Sequence, residues 1–231
     1  MPKIKICLDA GHSGKYNQSP ANKAYYESDM SWKLHLLLKK YLESYGMEVI
    51  TTRKTQSQEL SVTNRGKKAK GCDLFISLHS NAYPNGSVNE ETDYPIVYVP
   101  LSGKGDDIGK SLVECIAKTM CTRQTGKCTS KKGANGDYYG VIRGAESVGT
   151  TGLLIEHSFH TNTRSTNWLL NDDNLNALAK AEADVIAKYF ALTQSSKLYR
   201  VQVGAFSQKD GAEQLLSNLN EAGFSGFITS N

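Results

Sequence analysis

Apolar residues along most of the chain come in runs that switch between two periods. The runs "KIKICLDA", "MEVITTR", "LFISLH", "YPIVYVP", "YYGVI" and "TTGLLIEH" are short and rich in β-branched and aromatic side chains, which predicts strands. Longer stretches of helical period separate them. In "ESDMSWKLHLLLKKYLESYG" the residues Met30, Leu34, Leu37, Leu38, Tyr41, Leu42 and Tyr45 recur at steps of three and four, one buried stripe ending at Gly46. His35 falls beside that stripe and reads as a structural or surface residue. "SVTNRGKKAKGC" predicts a short helix, "DDIGKSLVECIAKTM" a longer one, and "NLNALAKAEADVIAKYFAL" a closing one. Strand and helix in alternation imply an α/β layer structure.

Two stretches break the alternation. "KCTSKKGANGDYYG" is rich in Gly, Lys and Asn and reads as a long surface loop, either the rim of a binding groove or a solvated connection. "TQSSK" reads as a polar linker, placed at 193–198, after a main domain spanning 1–192. The remainder, 199–231, repeats a strand, helix, strand pattern with Ser207 as a helix cap. A unit that small buries little core by itself.

Composition narrows the class. A chain of 231 residues, 39% hydrophobic and 22% charged, can bury a full core, so disorder is not expected. No apolar run approaches the roughly 18 residues of a membrane helix, and Met1–Cys7 lacks the pattern of a secretory signal. The expectation is synthesis in the cytoplasm without a signal peptide, and no membrane insertion. Five cysteines, Cys7, Cys72, Cys115, Cys121 and Cys128, are odd in number, scattered, and contain no Cys-x-x-Cys pair, so free thiols are the better reading. The net charge is +4. After residue 196 Lys197, Arg200 and Lys209 balance Asp210, Glu213 and Glu221, so the whole excess lies upstream. That suits an anionic polymer but lacks the basic run interleaved with aromatics of a nucleic-acid binder. Nothing in the sequence sets an oligomeric state.

The stretch "ICLDAGHSGKY" is the first candidate for chemistry. A phosphate-binding Walker loop would need glycine where Asp9 stands and a hydroxyl where Tyr16 stands, which excludes it. What remains is His12 at the break of an apolar run. In an α/β sheet functional side chains gather past the carboxyl ends of strands, and His12, His79 and Glu156 all sit at such points. Glu27 stands at the start of the helix fed by the first strand. Two imidazoles and a carboxylate suit Zn²⁺ with one position left for chemistry, and a further carboxylate, Glu156, suits the proton transfers of amide hydrolysis. The plainer alternative is a capping Glu27 and hydrogen-bonded core histidines.

The segments "LDAGH", "YYESDMSWKLHLLLKKYL", "LFISLHSNA" and "GLLIEHSFHTN", in this order, resemble the zinc-dependent N-acetylmuramoyl-L-alanine amidases of bacterial autolysins and phage endolysins over residues 3–191. The resemblance implies a single α/β domain with a twisted, mostly parallel or mixed central sheet flanked by helices on both faces. It implies one Zn²⁺ held by His12, Glu27 and His79, with Glu156 as the catalytic carboxylate. It also implies bacterial peptidoglycan as substrate, cleaved at the amide between the lactyl group of N-acetylmuramic acid and L-alanine. The first motif carries Ala10 where the family more often has proline, which leaves His12 unaffected. Substrate contacts are expected from Ser80, Asn81, Arg65 and Arg143, with turn closure or buttressing ion pairs as the alternatives, also for Arg53. Asp29 is a second acidic candidate in the first helical turn; His157 and His160 are each candidates for an extra ligand or a substrate contact, and if "LLIEHSFH" leaves the strand after Glu156, His157 would face away from it. The tail resembles half of a sporulation-related repeat (SPOR), a module associated with peptidoglycan glycan binding. Action on the wall would follow release through a membrane lesion or lysis of a mother cell. A non-catalytic wall binder and a zinc peptidase cutting within the stem peptide are the competing readings.

Overall fold

The computed structural model describes residues 3–193 and 201–229. Two compact units, Met1–Ser195 and Ser196–Asn231, are taken separately; the linker expected at 193–198 falls, except for Thr193, outside the described residues. In chain order the first unit contains β1 (Lys5–Ala10), α1 (Glu27–Ser44), β2 (Glu48–Thr51), α2 (Val62–Lys67), β3 (Leu74–Asn81), β4 (Ile96–Tyr98), α3 (Asp106–Met120), β5 (Lys127–Thr129), β6 (Lys132–Gly133), β7 (Gly136–Asp137), α4 (Gly140–Glu146), β8 (Gly152–Phe159), α5 (Thr163–Leu170) and α6 (Asp172–Tyr189).

Six strands form one sheet in the order β2-β1-β3-β8-β4-β5, parallel except where β4 meets β8. This is the mixed, mostly parallel sheet expected. The strand alternation sorts its two faces. Ile6, Leu8, Ile76, Leu78, Leu153 and Ile155 pack with Leu34, Leu38, Ile108, Leu112, Leu178 and Ala183 of α1, α3 and α6. Cys7, Phe75 and Leu154 point the other way, onto Val141, Ile142 and Ala145 of α4. Both faces are therefore covered, which explains why every residue of β8 is buried and why its first half, Gly152–Ile155, is apolar. His35 is buried in α1, its Nδ1 bonded to the Trp32 carbonyl, and burial pushes its pKa down to about 4.

Three sequence expectations are corrected. "YYGVI" is not a strand: Tyr139 caps α4, whose Val141, Ile142 and Ala145 meet the sheet at helical spacing. Tertiary packing overrides the β-branched composition, because α2 and α4 cross at near contact through glycines. A Cβ on Gly66 would lie 2.1 Å from the Val141 carbonyl, and one on Gly144 2.3 Å from that of Thr63. Second, the expected surface loop contributes β5, which pairs with β4, and the small β6–β7 hairpin. Third, α5 was not expected; Asn162 starts it by accepting from the Ser165 amide.

In the second unit α7 spans Lys209–Glu221, with Gln208 rather than Ser207 at its cap and no side-chain capping bond. The runs on either side of it, read as strands, are not paired into a sheet among the described residues. None of the α7 side chains is fully buried, and Val201, Val203, Phe206, Phe224 and Phe227 are exposed. All five cysteines are free, as expected.

Candidate active site

The site lies at the carboxyl ends of β1, β3 and β8. Past β1 the Gly11 amide donates to the Leu78 carbonyl at 2.9 Å, laying the turn across the end of β3. Gly11 has no room for a side chain: a Cβ there would lie 2.5 Å from Cε1 of His79. His12 follows with a left-handed φ of 58°, and its ring stacks on Tyr16 at 4.7 Å. The chain then loops to Asn17, also left-handed, whose carbonyl accepts the Glu27 amide at 3.0 Å at the start of α1.

Glu27 is the hub of the cluster. Its Oε1 lies 3.0 Å from His12 Nε2 and 2.8 Å from His79 Nδ1, and it accepts the Ser80 amide at 3.2 Å. Its Oε2 accepts from the Asn17 side-chain amide at 2.5 Å. Burial alone would push the Glu27 carboxyl up, but hydrogen bonds and charge from His12 and His79 outweigh it and hold the group well below the usual carboxylate range. The ligand atoms of His12, Glu27 and His79 all lie within 4.8 Å of one another. No other group of three or more metal-capable side chains occurs among the described residues. Two neutral-capable nitrogens and one ionised oxygen converging from one side are a donor set that fits zinc.

Glu156 pairs with His79 across the parallel β3–β8 ladder, so the two side chains stand on the same face of the sheet. It is 8% exposed, and among the described residues its Oε2 has no hydrogen-bond partner. Burial first, then the charge of Glu27, raises its pKa well above the ordinary carboxyl value. A cavity of about 330 Å³ opens over both groups, lined by His12, Glu27, His79, Glu156, Tyr139 and His160 among others.

The remaining candidates divide between cavity and scaffold. Asn81 lines the cavity, although its Oδ1 accepts the Ala82 amide at 2.8 Å. Ser80 also reaches the cavity, but its hydroxyl is taken up by Tyr25 at 2.7 Å and His160 Nδ1 at 3.0 Å. Arg65 is buried beneath the first turn, donating to the carbonyls of Leu60 and Ala10, and Arg53 donates to Ala10 as well. These are the buttressing roles. Arg143 likewise donates to the carbonyls of Asp137 and Tyr138 and holds the hairpin rather than lining the cavity. Asp29 accepts from Gln56 and is not part of the cluster. His157 faces away from Glu156, its Nε2 2.6 Å from the buried Glu182 of α6. A β-bulge then shifts the register between His79 and Asn81, with Ser158 left-handed, and His160 returns to the cavity wall.

Asn17 and Tyr139 were not singled out from sequence. Asn17 sits in a loop without periodicity, and Tyr139 in a run read as strand. Ser77, by contrast, carried a signal: it is a polar residue two positions before His79 and so on its face.

The family model described as N-acetylmuramoyl-L-alanine amidase matches residues 6–188, and the SPOR domain model matches 174–230. The sporulation-specific N-acetylmuramoyl-L-alanine amidase of Bacillus subtilis (strain 168) is 30% identical over 231 residues, covering 97% of this chain and 84% of that one. The N-acetylmuramoyl-L-alanine amidase CwlM of Bacillus licheniformis is 29% identical over 230 residues, with 97% and 84% covered. Among solved structures, the catalytic domain of CwlV from Bacillus (Paenibacillus) polymyxa var. colistinus shares the fold. It superposes with a TM-score of 0.69 at 19% identity, covering 82% of this chain and 99% of that domain. With the family model spanning most of the chain and the strand ends converging as described, the protein belongs to the N-acetylmuramoyl-L-alanine amidases and is an enzyme of that class.

Proposed function

We propose that this amidase is zinc-dependent, with His12, Glu27 and His79 holding the ion and Glu156 moving the proton as the N-acetylmuramic acid to L-alanine amide of peptidoglycan is hydrolysed. One observation carries the reading: side chains from four separate stretches of sequence meet at one cavity, and the one outside the cluster, Glu156, keeps a buried oxygen without a partner among the described residues. A zinc ion in that donor set supplies Lewis acidity, which polarises a scissile carbonyl and acidifies an attacking water. Glu156 Oε2 takes the proton from the water and returns it to the leaving nitrogen of L-alanine. Its raised pKa favours the half of that shuttle in which the carboxyl holds the proton. The Asn17 amide and the Ser80 N–H fix Glu27 by bonding both its oxygens. Asn81, at the rim, is positioned to meet the substrate.

The division of labour along the chain follows the two units. Residues 1–192 would carry the chemistry and 199–231 would add affinity for wall glycan, the latter supported by the SPOR match. No helix among the described residues is long and apolar enough to cross a membrane. The proposed place of action is the cell wall, reached after release from the cell that makes the enzyme.

The test is release of new N-terminal alanine from purified peptidoglycan, with and without a zinc chelator. Release should be chelator-sensitive. Glu156→Ala should keep its zinc and lose about 10²–10⁴-fold in turnover, while His12→Ala should lose metal and turnover together. Undiminished release by both variants would refute the assignment.

A further inference from the structure

The wall of the cluster away from the cavity contains a buried polar chain that none of the roles above uses. Asp9 is wholly buried in β1 and pairs in register with Ser77 of β3. Both of its oxygens accept from hydroxyls: Oδ1 from Thr52 at 2.5 Å and Oδ2 from Ser77 at 2.7 Å. The Arg65 guanidinium stands 3.7 Å from Oδ1. The same Ser77 Oγ lies 3.1 Å from Nε2 of His79.

Proton counting fixes the direction of every bond in this chain. A carboxylate only accepts, so each hydroxyl facing Asp9 must donate to it. Ser77 has one proton, and it is spent on Asp9. Toward His79 the Ser77 oxygen can therefore only accept, which requires a proton on Nε2. Nδ1, the nitrogen 2.8 Å from Glu27, is then the one turned to the cluster. We infer that Asp9 and Ser77 are positioning residues that hold the His79 ring with its proton on Nε2, so that Nδ1 is presented as the metal-binding nitrogen. The inference rests on the zinc reading above. Its physical basis is general: a ligating imidazole is oriented by what its other nitrogen donates to, and losing that partner typically costs about 10–100-fold in metal affinity.

The fold explains why these residues share one face. Asp9 and Ser77 are register partners, and Ser77 and His79 are two apart on one strand, so all three side chains project to the same side of the sheet. Thr52 provides the control. It bonds the other oxygen of Asp9 and does not touch His79.

Two measurements on the full chain test this. The first is zinc affinity, by competition with a chromophoric chelator, for the wild type, Ser77→Ala and Thr52→Val. Ser77→Ala should bind zinc about 10–100-fold more weakly, and Thr52→Val within about twofold of the wild type because the Ser77 bond is kept. The second is the ¹⁵N imidazole spectrum of His79 in zinc-loaded protein, which should show the metal on Nδ1 and the proton on Nε2 in the wild type, and a mixture of the two arrangements in Ser77→Ala. Wild-type affinity in Ser77→Ala, or a wild-type His79 whose Nε2 carries no proton, would overturn the inference. The wild-type spectrum decides even where the Ser77 variant fails to fold. A wild type that binds no zinc would instead sink the metal reading, which separates the two failures.

Discussion

Gly11 shows how tightly single residues are committed around the cluster. A methyl group there would lie 2.5 Å from the His79 ring and 2.7 Å from the Leu78 carbonyl, so the ring and the turn must both shift to admit it. Gly11→Ala should therefore lower zinc affinity by about tenfold or more while the fold survives, checked by chelator competition beside the circular dichroism spectrum. Unchanged affinity would show that the turn relaxes around the methyl. At this scale His12, Glu27, His79 and Glu156 were readable because each is a polar residue at the end of an apolar run or the start of a helix. Gly11 allows close approach, while His12 and Gly14 both take the left-handed conformation that bends the turn. Asn17 was out of reach, since its hold on Glu27 depends on how a loop folds back.

Among the elements, β8 and α6 are joined by a His157–Glu182 pair, with both side chains fully buried and Glu182 Oε2 without a partner among the described residues. Removing one member leaves the other buried and uncompensated, which generally costs about 3–5 kcal/mol. His157→Ala should lose stability on that scale in urea titration of the whole chain; a loss below about 1 kcal/mol would mean that water or a neighbour satisfies Glu182. The elements themselves were largely legible. "DDIGKSLVECIAKTM" coincides with α3, and the stripe from Met30 to Leu42 faces the core. The failures lie where neighbours decide. α4 is helical because its glycines let it lie against α2, and β5 is a strand because β4 offers it an edge, neither of which is a local property.

For the whole molecule, the two units predict separable contributions. A chain ending at Thr193 should keep its thermal midpoint and release alanine from fragmented wall, while sedimenting less with intact wall. Loss of the fold on truncation would contradict the proposed division. The sequence made the sheet and its two helical layers readable, because covered faces demand apolar strands. It did not reveal that, among the described residues, the runs flanking α7 form no paired strands, since strand pairing depends on a partner that their own pattern does not specify. The pairing of His79 with Glu156 across the central ladder carries one more consequence. Adjacent strands keep a spacing of about 4.8 Å set by amide hydrogen bonds, so the reach from cluster to proton carrier is gauged by the backbone rather than by any loop. A change in substrate would therefore be met at cavity-lining residues off that ladder, such as Tyr139, leaving the gauge untouched.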